Sequence, residues 1–189
     1  METNQPHITN LIVCCKKDDK NAQLELYKCY YMAMYNVAYR ILKDRFEAED
    51  IMQEAFLAAF TKIHMYKGKV TFGAWLKRIV INKSLTQLKK NNRYSEIKME
   101  VIPTENEEEK TIDYKTLNTN KVNDCLQSLK ENYRIILNLH FIEGYDYEEI
   151  AQILNYTNEN VRTTVSRAKK KLKQVILANN IIETRINER

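Results

Sequence analysis

Apolar side chains recur at helical spacing through the first half of the chain. The first stripe lies within residues 21–42 and repeats every three or four residues, which predicts a helix (Leu24, Tyr27, Tyr31, Met34, Ala38, Ile41, Leu42). A second helix is predicted to begin near Glu47, with an apolar stripe formed by Ile51, Ala55, Phe56, Ala59, Phe60 and Ile63. A third is predicted to begin near Phe72, with a stripe formed by Trp75, Leu76, Ile79, Val80, Leu85 and Leu88. Three amphipathic helices with short connections predict a small bundle over residues 21–92.

A second set of helical stripes begins near Lys121. Short helices are predicted from Val122, Cys125, Leu126 and Leu129, and from Tyr133, Ile136, Leu137 and Phe141, with Gly144 as the cap that ends the second one. The next two stripes have the spacing of a helix-turn-helix: Ile150, Ala151 and Leu154, then Val161, Val165, Ala168 and Leu172. This predicts a second bundle over residues 120–178.

The turn between the last two helices has suitable residues. Ala151 permits close helix packing, and Asn155 tolerates a left-handed backbone. Asp146 and Glu149 have the spacing of a capping box, and Thr157 is placed to cap the last helix. The last helix leaves polar and basic residues on its outer side, as a major-groove reader requires.

Helical periodicity is lost between the two bundles. Residues 93–119 contain Pro103, the run Glu107–Glu109 and few large apolar side chains, so we interpret them as an acidic flexible linker. Residues 1–20 are interpreted as an N-terminal segment and 179–189 as a C-terminal tail. Only three glycines and two prolines interrupt the 189 residues. The predicted fold class is therefore all-α, with two small helical bundles joined by an acidic linker.

Charge is unevenly distributed although the net charge is only +5. Eight basic residues and no acid lie between Lys67 and Ser95, and six basic residues and no acid lie between Arg162 and Lys173. Seven acidic residues and only two lysines lie between Glu96 and Asp113. Two basic segments separated by an acidic one favour two contacts with a polyanion over two merely solvated helix faces.

Several classes of protein are disfavoured by the same sequence. The four cysteines and three histidines lack the spacing of a metal site. There is no glycine-rich phosphate loop, so we expect no metal, no cofactor and no catalysis, although carboxylates from distant segments are not excluded. No targeting signal or membrane-spanning run is visible, and we read the cysteines as reduced thiols of a cytoplasmic protein.

Three blocks resemble the sigma-70 family of bacterial sigma factors. Residues 46–56 (FEAEDIMQEAF) resemble its acidic helix, and residues 72–82 (FGAWLKRIVIN) resemble the segment that follows it. Residues 148–168 resemble its carboxy-terminal helix-turn-helix. The order, the spacing and the intervening linker are similar to those of the compact extracytoplasmic-function group. The resemblance implies a promoter-specificity subunit that binds core RNA polymerase at its clamp and flap regions, with an anti-sigma factor as a possible further partner.

The resemblance implies a role for each bundle. The first would bind the polymerase through Asp50, Gln53 and Glu54, which share one helix face, and would bind the proximal (−10-type) promoter element. Its candidate DNA contacts are Lys67, Lys69, Phe72, Trp75, Lys77, Arg78, Asn82, Lys83, Lys89 and Lys90. Phe72 and Trp75 are candidates to support an opened base, although a core position is favoured for Trp75. The loop from His64 to Thr71 is the better candidate to cradle an extruded base.

The second bundle would read the upstream (−35-type) element. Its candidate contacts are Asn158, Glu159, Asn160, Arg162, Thr163, Arg167 and Lys170, because arginine pairs with guanine and asparagine with adenine in the major groove. Lys169, Lys171 and Lys173 are expected to contact phosphates or solvate the helix end. Thr164 replaces a residue that is frequently basic in the family. The alternative function is a stand-alone helix-turn-helix regulator, which the helix-turn-helix alone does not separate from a sigma factor.

Overall fold

The structure is a computed structural model that describes residues 5–91 and 119–187. Those residues form helices and no strand, which confirms the all-α prediction. The chain divides after residue 93 into two compact units. The predicted linker lies outside the described residues except for Thr119, which begins a helix. None of the described helices combines the length and the apolar character that a bilayer crossing demands.

The amino-terminal unit contains four helices. They are α1 (Gln5–Cys15), α2 (Lys20–Leu42), α3 (Arg45–Thr61) and α4 (Phe72–Lys90), and a short 3-10 turn, Ile63–Met65, follows α3. Helices α2, α3 and α4 pack against one another, and α1 packs on α2. The predicted three-helix bundle is therefore present, with one more helix than expected.

Helix α1 corrects the prediction of a separate N-terminal segment over residues 1–20. Leu11, Ile12 and Cys15 are buried, at positions that share one helix face. The sequence offers only a short apolar run here, Leu11 to Cys15, and no helix was predicted from it. Packing of these side chains on α2 stabilises the helix.

Side-chain caps fix where three of these helices begin. The carboxylate of Asp19 accepts hydrogen bonds from the backbone amides of α2, and Asp44 does the same for α3. The hydroxyl of Thr71 accepts from the amide of Ala74 at 3.3 Å. Each cap satisfies backbone donors that have no partner inside the helix. Asp44 places the start of α3 at Arg45, two residues before the predicted start.

The buried face of α2 differs in part from the predicted stripe. Leu26, Met34, Val37 and Ala38 are buried, whereas Leu24 and Tyr31 are 52% and 40% exposed. The prediction for Leu24 and Tyr31 is thus wrong. A nearly continuous run of apolar and aromatic residues around a long helix does not reveal which side will meet α3 and α4.

The carboxy-terminal unit contains α5 (Thr119–Ser128), α6 (Glu131–Leu137), α7 (Tyr147–Leu154) and α8 (Asn158–Asn187). A π-helical turn, Asn138–Ile142, continues α6. The core is formed by side chains from all of these elements: Leu126, Leu129, Ile135, Ile136, Leu137, Leu139, Ile150, Val161, Val165, Ala168 and Ile176.

The π-helical turn overturns the prediction that Phe141 packs in the core. Phe141 is 52% exposed, and Leu139 is buried in its place. A π turn accommodates an extra residue per turn, so the side chains after it are rotated away from the face that an α-helix would give. The chain then reverses at Gly144, whose φ of +79° is in the region that glycine adopts without strain. The predicted left-handed cap at Gly144 is confirmed.

The predicted helix-turn-helix is present as α7 and α8. Asp146 and Glu149 form the reciprocal capping box at the start of α7, and Asn155 has a left-handed φ of 57° at its end. The hydroxyl of Thr157 accepts from the amide of Asn160 at 3.2 Å. The three features that the sequence predicted for this turn are thus confirmed.

Helix α8 continues to Asn187, so the tail assigned to residues 179–189 does not begin as a separate segment. Ile176 is buried, and the amide of Asn179 donates to Cys125 Sγ at 3.2 Å. The second half of α8 therefore packs on α5.

Candidate nucleic-acid interfaces

The acidic face of α3 is exposed. Asp50, Gln53 and Glu54 are on the solvent side, while Ile51 and Met52 are buried between α2 and α4. Burial of the opposite side fixes the direction in which the acidic face points. A cationic partner can therefore reach it without any rearrangement of the bundle.

Two large apolar side chains that the sequence analysis missed flank this acidic face. Phe46 is 81% exposed and Leu57 is 69% exposed, and both lie at helical spacing from Asp50 and Gln53. Singly exposed apolar side chains are common on protein surfaces, so these two are of interest only because they lie in line with the acidic face. Their spacing was visible in the sequence, but Phe46 lay outside the predicted apolar stripe.

A direct ion pair joins α3 to α4. Lys83 Nζ lies 2.8 Å from Glu54 Oε2. The hydrogen bond and the charge of Lys83 lower the pKa of Glu54, and the charge of Lys90 adds to the effect. At the other end of the same seam, Asn91 Nδ2 donates to Glu47 Oε1 at 2.6 Å. Two side chains from separate candidate sets, Glu54 for the polymerase and Lys83 for DNA, thus contact each other.

One outward stripe of α4 carries four of the candidate DNA contacts. Trp75, Arg78, Asn82 and Lys89 follow one another at helical spacing; Asn82 and Lys89 are exposed, and Trp75 and Arg78 are half-buried. Lys83 and Lys90 lie on the flank of α4 that is turned towards α3. Lys77 is two residues from Trp75 and therefore lies on the opposite side of the helix, where it is half-buried.

Phe72 is not available to support an opened base. It is 2% exposed, and its ring packs against those of Tyr30, Tyr66 and Trp75 at centroid distances of 5.5, 5.7 and 5.7 Å. Trp75, for which a core position was favoured, is instead only half-buried at the edge of this aromatic cluster. Phe72 and Trp75 are both in the first turn of α4, and the apolar pattern alone did not show which of the two rings would be buried.

A cavity of about 770 Å³ lies between α1, α2 and the loop before α4. Tyr30, Tyr66 and Phe72 line it with aromatic rings, and Thr9, Thr71 and Lys69 add polar groups. Burial raises the pKa of the Tyr66 phenol, which donates to the backbone oxygen of Val70 at 2.7 Å. Lys67 and Lys69 are exposed on the same loop. The predicted base-cradling loop therefore borders a concave, partly aromatic space.

The loop is tied to the bundle on both sides. Lys16 Nζ donates to the backbone oxygen of Tyr66 at 3.1 Å. A Cβ at Gly73 would lie 2.9 Å from Tyr30 Cε1, so the absence of a side chain there allows the Tyr30 ring to approach α4. Helix α1, which the sequence analysis did not predict, contributes one wall of the cavity.

The outer face of the first turns of α8 is polar and basic. Asn158, Glu159, Arg162, Thr163 and Lys170 are exposed, and Asn160 and Arg167 are half-buried. Val161 and Val165 are buried on the opposite side and hold this face outwards.

Thr164 faces inwards rather than towards a ligand. It is 5% exposed, and its hydroxyl donates to Asn160 Oδ1 at 3.1 Å. The side-chain oxygen of Asn160, a predicted DNA contact, therefore accepts a hydrogen bond from a residue of the same helix. Lys169 Nζ lies over the ring of Phe141, 5.1 Å from its centroid, which directs Lys169 towards the π-helical turn.

Grouped metal ligands are absent from the described part of the chain, where no three His, Cys, Asp or Glu side chains lie close enough together to hold an ion. The candidate sites described above are formed by charged side chains, exposed apolar side chains and one concave surface.

Two sequence families match the chain, one in each unit. The family described as Sigma-70 region 2 matches residues 26–94, and the one described as Sigma-70, region 4 matches residues 119–172. Together they cover more than half of the chain. The first includes α3 and α4, and the second includes the helix-turn-helix.

Curated relatives match across both units. The chain is 28% identical over 172 residues to the ECF RNA polymerase sigma factor SigW of Bacillus subtilis, which covers 84% of this chain and 91% of that protein. It is 27% identical over 160 residues to SigM of the same species, with 79% and 91% covered. It is 30% identical over 159 residues to SigE of Mycolicibacterium smegmatis, with 80% and 60% covered.

Two solved structures share the fold. One is the sigma factor RpoE in complex with the anti-sigma factor NepR from Bartonella quintana, with a TM-score of 0.55, 22% identity, and 80% of this chain and 94% of that chain covered. The other is CnrH in complex with the cytosolic domain of CnrY, with a TM-score of 0.53, 20% identity, and 89% and 96% covered.

Proposed function

Because the chain belongs to the extracytoplasmic-function group of the sigma-70 family and is thus a promoter-recognition subunit of RNA polymerase, we propose a role for each surface described above. The observation that carries the proposal is the presence, in one chain, of an exposed acidic face in the region 2 match and an exposed basic reading helix in the region 4 match.

The acidic face of α3 binds the clamp of core polymerase. Asp50, Gln53 and Glu54 supply charge and hydrogen bonds, and Phe46 and Leu57 supply apolar area on either side. Burial of apolar surface contributes about 25 cal/mol per Å² before the costs of association. The apolar flanks therefore add affinity, while the charges set the orientation. The carboxy-terminal unit binds the flap region.

The outward stripe of α4 and the neighbouring loop bind the proximal promoter element. Lys67, Lys69, Arg78 and Lys89 neutralise phosphates, and Asn82 contacts a base or the backbone. Trp75, at the edge of the aromatic cluster, stacks on the opened strand. The cavity beside the loop accepts an extruded base.

The free energy of base stacking is large enough to offset the cost of unpairing a base. Stacking on an aromatic ring contributes roughly 1–3 kcal/mol per base, and unpairing a base costs a few kcal/mol. One or two such contacts together with phosphate neutralisation thus suffice to hold a melted step open.

The first turns of α8 read the upstream element in the major groove. Arg162, Thr163 and Asn158 are exposed at the amino-terminal end of the helix, where a reading helix meets base edges. Lys170 lies two turns later and contacts phosphate. Asn160 and Arg167 are half-buried, so they contribute less to recognition than Arg162.

The protein performs no bond chemistry of its own and acts in the cytoplasm with promoter DNA and core polymerase. An anti-sigma factor is proposed as a further partner, because a sigma factor of similar fold was solved in complex with an anti-sigma factor. A stand-alone regulator is not favoured, since the relatives that match across both units are sigma factors.

In vitro transcription tests the proposal. Purified protein is added to bacterial core polymerase on a pool of templates whose upstream region is randomised, and the 5′ ends of the transcripts are sequenced. We expect transcripts that share two upstream motifs and that disappear when the protein is omitted. DNA binding without initiation would instead support the stand-alone regulator.

A further inference from the structure

The contact between Glu54 and Lys83 joins two surfaces that the proposed function assigns to different partners. We infer that Glu54 serves as an intramolecular counter-ion for Lys83 in the free protein, so that docking of α3 on a cationic partner increases the attraction of α4 for DNA. This inference rests on the proposed function, because it requires that α3 and α4 each bind a partner.

The position of the pair is set by the packing of α3 against α4. Glu54–Lys83 and Glu47–Asn91 are two contacts along one antiparallel seam, and they are separated by seven residues on α3 and eight on α4. The seam therefore fixes the register in which Lys83 meets α3. Lys83, a candidate DNA cation, thereby forms a direct ion pair with a candidate polymerase contact.

The charge of Glu54 opposes the approach of a phosphate to Lys83. The two charged atoms lie 2.8 Å apart, and the lowered pKa of Glu54 indicates that its carboxylate stays ionised beside Lys83. A phosphate that approaches Lys83 therefore also meets a negative charge at the same place. When a cation of the polymerase pairs with Glu54, that repulsion is offset and the full charge of Lys83 acts on DNA.

The size of the effect follows from the exposure of the pair. The side chains of Lys83 and Glu54 are 32% and 59% exposed, so water and salt screen the interaction. Exposed ion pairs change equilibria by factors of up to about five. The pair thus modulates the affinity for DNA and does not block it.

Fluorescence anisotropy of the full chain with a fluorescein-labelled single-stranded oligonucleotide of about 20 nucleotides tests the inference at low salt. We expect Glu54→Gln to bind about two- to fivefold more tightly than the unmodified protein. The matched control is Glu49→Gln, which removes the same charge from an exposed position of α3 whose recorded contact is with Gln53. Its effect should be smaller.

The same two substitutions are then made in a Lys83→Gln background. There, Glu54→Gln should have no larger effect than Glu49→Gln, because the pair is already absent. Equal effects of Glu54→Gln and Glu49→Gln with Lys83 present would overturn the inference and indicate a general effect of net charge. A free chain that binds no oligonucleotide even at low salt would overturn the inference, because Lys83 would then attract no DNA in the free protein; the transcription assay with core polymerase tests the proposed function separately.

A measurement on the unmodified protein provides a second test that does not depend on the folding of a variant. The carboxyl carbon of Glu54 is followed by nuclear magnetic resonance while the oligonucleotide is added. We expect the pKa of Glu54 to rise as phosphate competes for Lys83. An unchanged pKa at saturation would contradict the competition.

Discussion

Arg162 and Thr164 are two positions apart on α8, but their surroundings are opposite. Arg162 is exposed on the outer face, whereas Thr164 is 5% exposed and bonds to Asn160. Thr164 therefore packs against the rest of the unit, and we propose that recognition falls mainly to Arg162 and Thr163.

We predict that Arg162→Ala and Lys170→Ala weaken promoter binding in different ways. Loss of Arg162 should reduce discrimination at one base position by about 1–3 kcal/mol, because a bidentate contact to a base edge is removed. Loss of Lys170 should weaken all sites alike, since a phosphate carries no sequence. The affinity of the holoenzyme for a panel of promoter variants measures both effects. If Arg162→Ala weakened binding to every promoter variant equally, Arg162 would not be a base-contacting residue.

Gly73 allows the close approach of Tyr30 to the first turn of α4. We predict that Gly73→Ala destabilises the protein by about 1 kcal/mol, because overpacking costs about 1–3 kcal/mol and exceeds the gain of about 0.5–1 kcal/mol from replacing glycine in a helix. Urea denaturation measures the change. In a Tyr30→Ala background the same substitution should become stabilising; a loss of stability there too would show that the Tyr30 ring is not the cause.

Among whole helices, those that carry their own start and stop signals were predictable. Helix α7 has the capping box, and its end at Asn155 was visible in the sequence. Helix α1 and the π-helical turn were not predicted, because packing against neighbouring helices, which the local apolar pattern does not reveal, stabilises both. For the same reason the exposure of Phe141 and the burial of Phe72 were missed, whereas Lys89 on α4 and Arg162 and Lys170 on α8 are exposed, as the helical pattern indicates.

Asp146→Ala should loosen the start of α7. The loss of an N-terminal cap costs about 0.5–2 kcal/mol. Hydrogen exchange of the Glu149 amide, which donates to Asp146 Oδ1 at 2.8 Å, should accelerate accordingly. Glu148→Ala, an acid in the same turn that takes no part in the capping box, serves as the control. Equal exchange rates in the two variants would argue against a specific cap.

At the scale of the whole molecule, the two units have separate cores and separate candidate surfaces. The family matches fall one in each unit and together account for 26–94 and 119–172. The acidic linker between them was predicted from composition and lies outside the described residues. Its proposed role, by analogy with the family, is to enter the RNA path of the polymerase, where its carboxylates mimic nucleic acid.

Deletion of Glu107–Glu109 should therefore alter promoter escape more than promoter binding. The units that contact DNA are unchanged by it, whereas the charge offered to the RNA path is reduced. Abortive and full-length transcripts from one promoter, together with holoenzyme affinity for the same fragment, measure the two effects. Identical transcript profiles would speak against this role for the linker.

The length of α8 has a mechanical consequence. At 1.5 Å per residue, its 30 residues form a rod of about 45 Å, with Arg162 near one end and the seat on α5 around Ile176 further along. The same helix is also held near its reading end, because Val161, Val165 and Ala168 are buried against the rest of the unit. A rod seated at two separated places does not tilt at one of them alone, so the direction of the reading end is set by the whole unit.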